Sequence, residues 1–303
     1  MTTDTRDDQA RALGVTPSRA LPSAPATVGQ DAGLIAGMAV IARSLSRSWK
    51  PLLAVCLILM ALQIVLVLNA SAQWQAQTFS RMAEMVPAFL RRALGDLTLV
   101  MLSFQGVVCI GFFHPVFVLL VSLLGVYFGS EPAHDVETGY VDLLLARPLR
   151  RQWLVTRSLA LVLASASVPP AVMALTMAAA LALFAPAGAP WPPAIAVMKM
   201  AVSLTAVASA IGTLSLLVAS RARRRGTAIA VGGITAMACY PLTLLEPTWR
   251  PLRAIGWLSP FHYFHPLEVL AGRQEPWTDL LVLGLAAAVL TALAYRQFAR
   301  RDL

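Results

Sequence analysis

The stretch that decides the fold is LTLVMLSFQGVVCIGFFHPVFVLLVSLLGVYF, residues 97–128, which runs for thirty-two residues without a formal charge. As an α-helix it would be about 48 Å long at ~1.5 Å per residue, whereas the hydrocarbon core of a bilayer is about 30 Å thick. The stretch can therefore cross a membrane, and part of it must protrude, tilt or bend. We expect the protruding end to lead into Ser130 and the acidic residues that follow it.

Five more stretches have the apolar character of a membrane span. They are residues 51–69, 158–184, 194–220, 226–245 and 280–296. A spanning helix needs about 20 apolar residues, so only the last stretch is marginal, and it reaches that length if its flanking residues snorkel to the headgroups.

The composition supports a membrane protein. Hydrophobic residues make up 58% of the chain, charged residues only 13%, and the mean hydropathy is +0.69. A water-soluble fold could not cover so large an apolar core with so little charge. The sequence therefore predicts an all-α integral membrane protein with six transmembrane helices.

Basic residues are distributed unevenly between the connecting segments. Fourteen lie beside one set of helix ends: Arg43, Arg47, Lys50, Arg147, Arg150, Arg151, Arg157, Arg221, Arg223, Arg224, Arg225, Arg296, Arg300 and Arg301. The opposite set has six: Arg81, Arg91, Arg92, Arg250, Arg253 and Arg273. The positive-inside rule then places both termini in the cytosol. Because the net charge of +9 follows the membrane topology, we do not expect nucleic acid as a partner.

The segment before the first span divides into a tail and a helix. Residues 1–33 are polar and rich in Pro, Ala and Ser, which predicts a disordered cytosolic tail, and the membrane domain would occupy residues 34–303. Between them and the first span, Leu34, Met38 and Ile41 share one helical face with Trp49. This pattern favours a helix lying on the membrane surface, although an ordinary packed amphipathic helix has the same pattern.

The cytosolic segment after the second span carries a second helix prediction. Ser130 is suited to cap it, Pro132 suits its first turn, and Arg147 with Pro148 would end it, which gives a helix over about 131–147. Leucines beside acidic residues on a short cytosolic helix are typical of a surface that a protein partner covers. The alternative is a helix on the membrane surface, which the acids disfavour because the inner leaflet is anionic.

Motifs for independent chemistry are missing from the sequence. It has no GxxxxGK[ST] phosphate loop, no HExxH and no GxSxG, so we do not expect an enzyme. His262, His265 and Glu268 have a spacing that could gather metal ligands, but Pro266 interrupts the helix, and a polar outer turn without metal is favoured.

Two polar positions inside apolar stretches have more than one interpretation. His114 precedes Pro115 in the second span and indicates a packed kink, or alternatively a residue of a transport pathway or gate. Lys199, near the outer end of the fourth span, is expected to snorkel to the headgroups, with a substrate-binding role as the alternative.

The sequence from Glu131 to Arg151, EPAHDVETGYVDLLLARPLRR, resembles the permease subunits of type-2 ATP-binding-cassette transporters. In that family the second span ends in an acidic residue, followed by Glu-x-Gly, a short Leu-rich helix, and Pro with a following Arg. The residues that fill this pattern here are Glu137, Gly139, Leu143, Leu144, Pro148 and Arg151. The sequences LSPF at 258–261 and FARRDL at 298–303 are similar to that family's ending, so the resemblance covers about residues 34 to 303.

The resemblance implies that the short cytosolic helix is a coupling helix that docks into a separate ATPase subunit, which binds ATP and Mg²⁺. It implies an ATPase-coupling set of Asp135, Glu137, Gly139, Tyr140, Leu143, Leu144, Arg147, Pro148 and Arg151. It also implies two permease chains, as a homodimer or heterodimer, with His114 and Tyr240 lining the pathway between them.

The direction of transport follows from a missing motif. The EAA-and-Gly coupling signature of importers is absent, which favours export across the plasma membrane. The alternatives are a secondary transporter, which the lack of acids inside the apolar stretches disfavours, a non-transporting membrane assembly factor, and an intramembrane enzyme using the outer histidines.

The topology prediction can be tested with reporter fusions. A reporter inserted after Gly139 is expected to be active only in the cytosol, and one inserted at Gly188, in the predicted outer turn at 185–193, only outside. Paired reporters of opposite compartment preference measure this directly. An exterior signal from Gly139 would reverse the predicted orientation.

Overall fold

The computed structural model describes residues 26–79, 96–140, 152–246 and 249–300, and every regular element in these ranges is helical. The helices are α1 (Ala26–Gln75), α2 (Asp96–Met101), α3 (Phe104–Phe113), α4 (Pro115–Gly129), α5 (Glu131–Glu137), α6 (Gln152–Phe184), α7 (Ala194–Ala219), α8 (Arg225–Leu245), α9 (Arg250–Arg253), α10 (Pro266–Leu270) and α11 (Trp277–Ala299). Short 3₁₀ turns, Gly256–Leu258 and Pro260–Tyr263, lie between α9 and α10.

Six helical segments are long and apolar enough to cross a bilayer. They are Ser48–Gln75, Phe104–Glu137, Gln152–Phe184, Ala194–Ala219, Arg225–Leu245 and Trp277–Ala299. The predicted all-α fold with six candidate spans is therefore confirmed. The sixth span, marginal in sequence, extends at both ends beyond residues 280–296 and so reaches a full spanning length.

The first span is continuous with the segment before it. Helix α1 passes through Pro51 without ending, so the predicted surface helix and the predicted first span form one helix of 50 residues. Helix α1 also includes residues 26–33, which were assigned to the tail, while residues 1–25 lie outside the described residues. Met38 and Trp49 are exposed, and their position on a membrane surface stays a prediction.

The second span is broken in two places, which resolves the excess length of residues 97–128. The first break follows α2, where the Ser103 hydroxyl accepts a hydrogen bond from the Gly106 amide at 3.1 Å and starts α3. The second break is at His114, whose backbone is extended (φ −69°, ψ 132°) before Pro115. Because proline has no N–H to donate, the helical hydrogen bonding restarts there, and the chain bends as predicted.

Helix α7 forms the centre of the bundle and packs against α4, α6, α8 and α11. Its closest neighbour is α4, where small residues let the two backbones approach each other. A Cβ built on Gly125 would lie 3.0 Å from the Ala208 carbonyl oxygen, and one built on Gly129 would overlap the Gly212 carbonyl oxygen. Close backbone approach at small residues four apart is typical of packing between membrane helices.

The segment between the fifth and sixth spans contributes side chains to the core of the bundle. Phe261, Val269 and Leu270 are buried in the main apolar core, although they belong to short irregular elements. The Ser259 hydroxyl holds the first of these elements to α8, donating to the Cys239 carbonyl oxygen at 3.1 Å.

The start of the first span and the end of the last lie at the same end of the bundle. Leu52 and Val55 of α1 pack on a cluster containing Phe128, at the end of α4. Phe298 of α11 packs in a cluster with Leu154, against which Val136 of α5 also lies. This arrangement requires an even number of crossings, as the charge distribution predicts.

The close approach of α4 and α7 gives a test of the packing. Gly129→Leu would force the two backbones apart and is expected to destabilise the protein by roughly 1–3 kcal/mol, seen as a lower midpoint of thermal unfolding in detergent. Gly284→Leu is the matched control, because Gly284 lies within a span and nothing lies within 4 Å of its added Cβ. Equal midpoints for the two variants would contradict this packing.

Candidate functional site

Helix α5 lies at the end of the bundle where the second span leaves the apolar region. It contacts α6, α7 and α8, three of the helices that form the other spans. Ala133 in its middle is fully buried, and Pro132 occupies its first turn as predicted. The segment is therefore an integral part of the bundle's end.

A buried ion pair fixes α5 to the third span. The Arg157 guanidinium of α6 donates from Nη2 to Asp135 Oδ2 at 2.5 Å, and the two side chains are only 4% and 6% exposed. Charges this deeply buried require a partner, because each loses its hydration. The pair therefore locks the positions of α5 and α6 relative to each other.

Glu131 links this pair to the fifth span. Its Oε2 lies 3.7 Å from Arg157 Nη2, and its Oε1 accepts from Arg225 Nη2 at 2.9 Å. Arg225 also lies over the Tyr127 ring, with its Cζ 4.3 Å from the ring centroid, and its Nε donates to the Ser130 hydroxyl at 3.1 Å. Glu131 thus bridges two arginines on two different spans.

Ser130 does not cap α5, contrary to the sequence prediction. Its backbone is helical (φ −80°, ψ −5°), and no cap hydrogen bond forms. The hydroxyl instead donates back to the Tyr127 carbonyl oxygen at 2.6 Å. The reason is that the chain passes from α4 into α5 almost without leaving the helical region, so the hydroxyl bonds to the preceding turn.

Glu137 holds the first turn of α8. Its Oε2 accepts from the Arg225 backbone N–H at 2.8 Å, while the residue at the N-cap position, Arg224, makes no side-chain cap. A carboxylate at a helix N-terminus satisfies a free N–H and interacts favourably with the helix dipole. The cap for the fifth span is therefore supplied from the end of α5.

Helix α5 ends at Glu137, so the predicted helix over 131–147 is not continuous. The Thr138 hydroxyl donates to the His134 carbonyl oxygen at 2.8 Å, and Gly139 has a φ of +68°. A left-handed residue just after a helix ends it, and glycine adopts that conformation without a steric penalty. Tyr140 follows the turn and is exposed.

The structure groups only part of the predicted coupling set. Asp135 and Glu137 belong to one charged cluster, and Gly139 and Tyr140 extend from it. Leu143, Leu144, Arg147, Pro148 and Arg151 lie outside the described residues. Their docking role stays a prediction.

The two predicted pathway residues lie apart from this cluster. His114 is exposed at the break of the second span, where its Nδ1 accepts from the Val116 amide at 3.4 Å. Tyr240 is half-buried and packs edge-to-face on Phe261, with ring centroids 5.1 Å apart. No contact between His114 and Tyr240 is present among the described residues.

His262 and His265 do not share a ligand position. His262 Nδ1 is 2.8 Å from Glu246 Oε2, whereas His265 Nδ1 is 3.4 Å from Asp279 Oδ2. Within the described ranges, no three His, Cys, Asp or Glu side chains are grouped to hold a metal ion. Lys199 pairs with Glu275 at 2.6 Å in a partly exposed contact at this end of the bundle.

Sequence reasoning missed the residues that build the charged cluster. In the sequence analysis, Arg157 and Arg225 were used only in the count of basic residues that predicts the topology. Glu131 was used only as the start of a predicted helix. One signal was available: each arginine directly precedes a predicted span, and residues 131–137, which follow the second span, contain three acids. Comparison with models of protein families and with curated proteins finds no match.

The arrangement is mechanical in character. Two arginines and three carboxylates tie α5, which continues the second span, to the third and fifth spans. A displacement of the segment after Glu137 would therefore act on three spans at once.

The strength of the buried pair can be measured. Arg157→Leu leaves Asp135 buried without its main partner, and we expect a loss of about 3–5 kcal/mol in the free energy of unfolding. Asp135→Leu combined with Arg157→Leu should recover much of that loss, because no lone charge remains buried. Chemical unfolding in detergent micelles gives both values.

Lys199→Leu is the control, since Glu275 is 62% exposed and an exposed pair contributes at most about 1 kcal/mol. A loss for Arg157→Leu as small as the loss for Lys199→Leu would contradict the assignment of a buried clamp.

Proposed function

We propose that this protein is the membrane-spanning permease subunit of an ATP-binding-cassette exporter, which forms the substrate pathway and is driven by a separate cytosolic ATPase subunit. The observation that carries the proposal is the clamped helix α5, which ends in an exposed turn at Gly139 and Tyr140. It occurs at the point where the sequence resembles the coupling segment of type-2 permeases.

The charged cluster around α5 supports a way for a partner's movement to reach the membrane spans. A partner that moves the segment after Glu137 would act on the second span through the chain itself, on the third through Asp135 and Arg157, and on the fifth through Glu137 and Arg225. The contact between Asp135 and Arg157 is short and buried, so a displacement of one side chain would move the other. A solvated connector would absorb the same displacement.

Exposed apolar faces support a second permease chain. Most of α8 is exposed in a single chain, and its exposed residues include Ile234 and Met237. Leu123 of α4 lies beside Gly233 of α8, so the two helices present adjacent surfaces. Two such faces would form the interface that the resemblance assigns to the second and fifth spans.

The test uses an ATPase that has a nucleotide-binding domain and no membrane span. Of such ATPases, it is the one whose gene lies nearest to the gene of this protein. Leu143→Asp with Leu144→Asp is expected to leave membrane insertion intact and to abolish co-purification of that ATPase, because buried apolar anchors carry most of the energy of such contacts. Affinity capture of the tagged permease from detergent extracts measures this.

Arg223→Gln with Arg224→Gln is the control. These side chains are exposed in the next connection at the same end of the bundle, so their loss should leave capture unchanged. Undiminished capture by the aspartate variant would refute the docking role, and failure of the native chain to retain the ATPase would refute the proposed function.

A further inference from the structure

A cavity of about 400 Å³ opens at the end of the bundle that carries α5, between the last turns of α7 and α11. It is lined by Ser220, Arg221, Leu293, Arg296, Gln297 and Arg300. Three of the six lining residues are arginines, and no acidic side chain is among them. The cavity takes no part in the charged cluster around α5.

The arginines of this cavity have no acidic neighbour among its lining residues. Within the described ranges, neither Arg221, Arg296 nor Arg300 forms an ion pair. Helices α7 and α11 both end here, and each C-terminus contributes roughly half a negative charge. Counted over the described residues, three guanidinium groups therefore leave about two positive charges uncompensated, which favours binding of an anion.

The hydrogen-bonding groups favour phosphate over a single small anion. Guanidinium groups bind phosphate through paired N–H donors, and three of them surround this space. Gln297 adds another donor, because its Oε1 already accepts from the Ser220 hydroxyl at 2.9 Å and its amide N–H₂ is left as the hydrogen-bonding group.

The shape of the cavity indicates a lipid. Leu293 lies seven residues before Arg300 on α11, which is about 10 Å along the helix toward the apolar part of the span. Its side chain is 40% exposed. One end of the cavity is therefore charged and the other apolar, which is the order in which a phospholipid presents its headgroup and then its acyl chains.

We propose that this cavity binds the phosphate headgroup of an anionic phospholipid, with the three arginines on the phosphate and Leu293 beside the start of an acyl chain. The site depends on neither the ATPase partner nor the direction of transport. A lipid bound here would join the ends of the fourth and sixth spans.

The test is native mass spectrometry of the purified protein in neutral detergent, titrated with phosphatidylglycerol, phosphatidylcholine or inorganic phosphate. We expect one tight phosphatidylglycerol site per chain. Arg221→Gln, Arg296→Gln and Arg300→Gln together should weaken it by about tenfold or more, since each arginine near an anionic headgroup contributes to affinity. Phosphatidylcholine should bind more weakly than phosphatidylglycerol.

The control variant combines Lys50→Gln, Arg223→Gln and Arg224→Gln, which removes three exposed positive charges at the same end of the bundle but outside the cavity. Its phosphatidylglycerol affinity should stay within about twofold of the native value. Size-exclusion chromatography establishes that both variants are folded. If the cavity variant with three substitutions aggregates, Arg300→Gln alone replaces it.

Several results would overturn the proposal. They are unchanged affinity in the cavity variant, equal weakening in the control, and equal binding of phosphatidylcholine. Displacement of the lipid by inorganic phosphate at equal concentration would also overturn it, since the ligand would then be the free anion.

Discussion

The structure depends on a cluster of five charged side chains at one end of the bundle, of which Arg157 and Asp135 are buried. Arg157 and Asp135 are almost fully enclosed, and Glu131 bridges them to Arg225. Burying an unpaired charge is costly, so the second, third and fifth spans meet here in a geometry that pairs Arg157 with Asp135 and Arg225 with Glu131. The apolar faces of the spans are interchangeable by comparison, because lipid and protein solvate them almost equally well. The charged cluster therefore fixes the register of these three spans, which apolar packing alone would leave less well defined.

The rest of the bundle is organised around the close contact of α4 and α7. Glycines at the crossing remove the side chains that would separate the backbones, so van der Waals contact replaces the hydrophobic effect as the source of stability. The breaks at Ser103 and His114 allow one long apolar stretch to reach this crossing and still continue into α5. The exposed turn at Gly139 is thus held by both contacts, one apolar and one ionic.

Much of the fold follows from the sequence for simple physical reasons. A helix must be about as long as the bilayer is thick, and the apolar stretches locate all six spans, with ends that differ from the structure by up to nine residues. The excess length of residues 97–128 and the His114-Pro115 pair predict the bend. The residues before Pro51 and the first span were predicted as two separate elements, whereas α1 runs through both as one helix.

The candidate site was harder to predict. Asp135 and Glu137 were identified through a family pattern, whereas their partners Arg157 and Arg225 are 22 and 88 residues away along the chain and only the packing of the spans brings them close. Gly139 was treated as part of that pattern, although a Thr-Gly pair after an acidic turn is also a signal that ends a helix. Sequence periodicity reports which face of a helix is apolar, but it does not report which helices are neighbours.

The central claim is that the charged cluster holds the segment at Tyr140 in one position relative to the membrane spans. Spin labels are attached at Tyr140→Cys and Ala187→Cys in a chain with its three native cysteines replaced. Pulsed electron paramagnetic resonance then measures the distance between the two labels across the bundle. We expect a single narrow distribution in the otherwise native chain and a broad one when Arg157→Gln is added. A distribution that is equally narrow with and without Arg157 would contradict the claim.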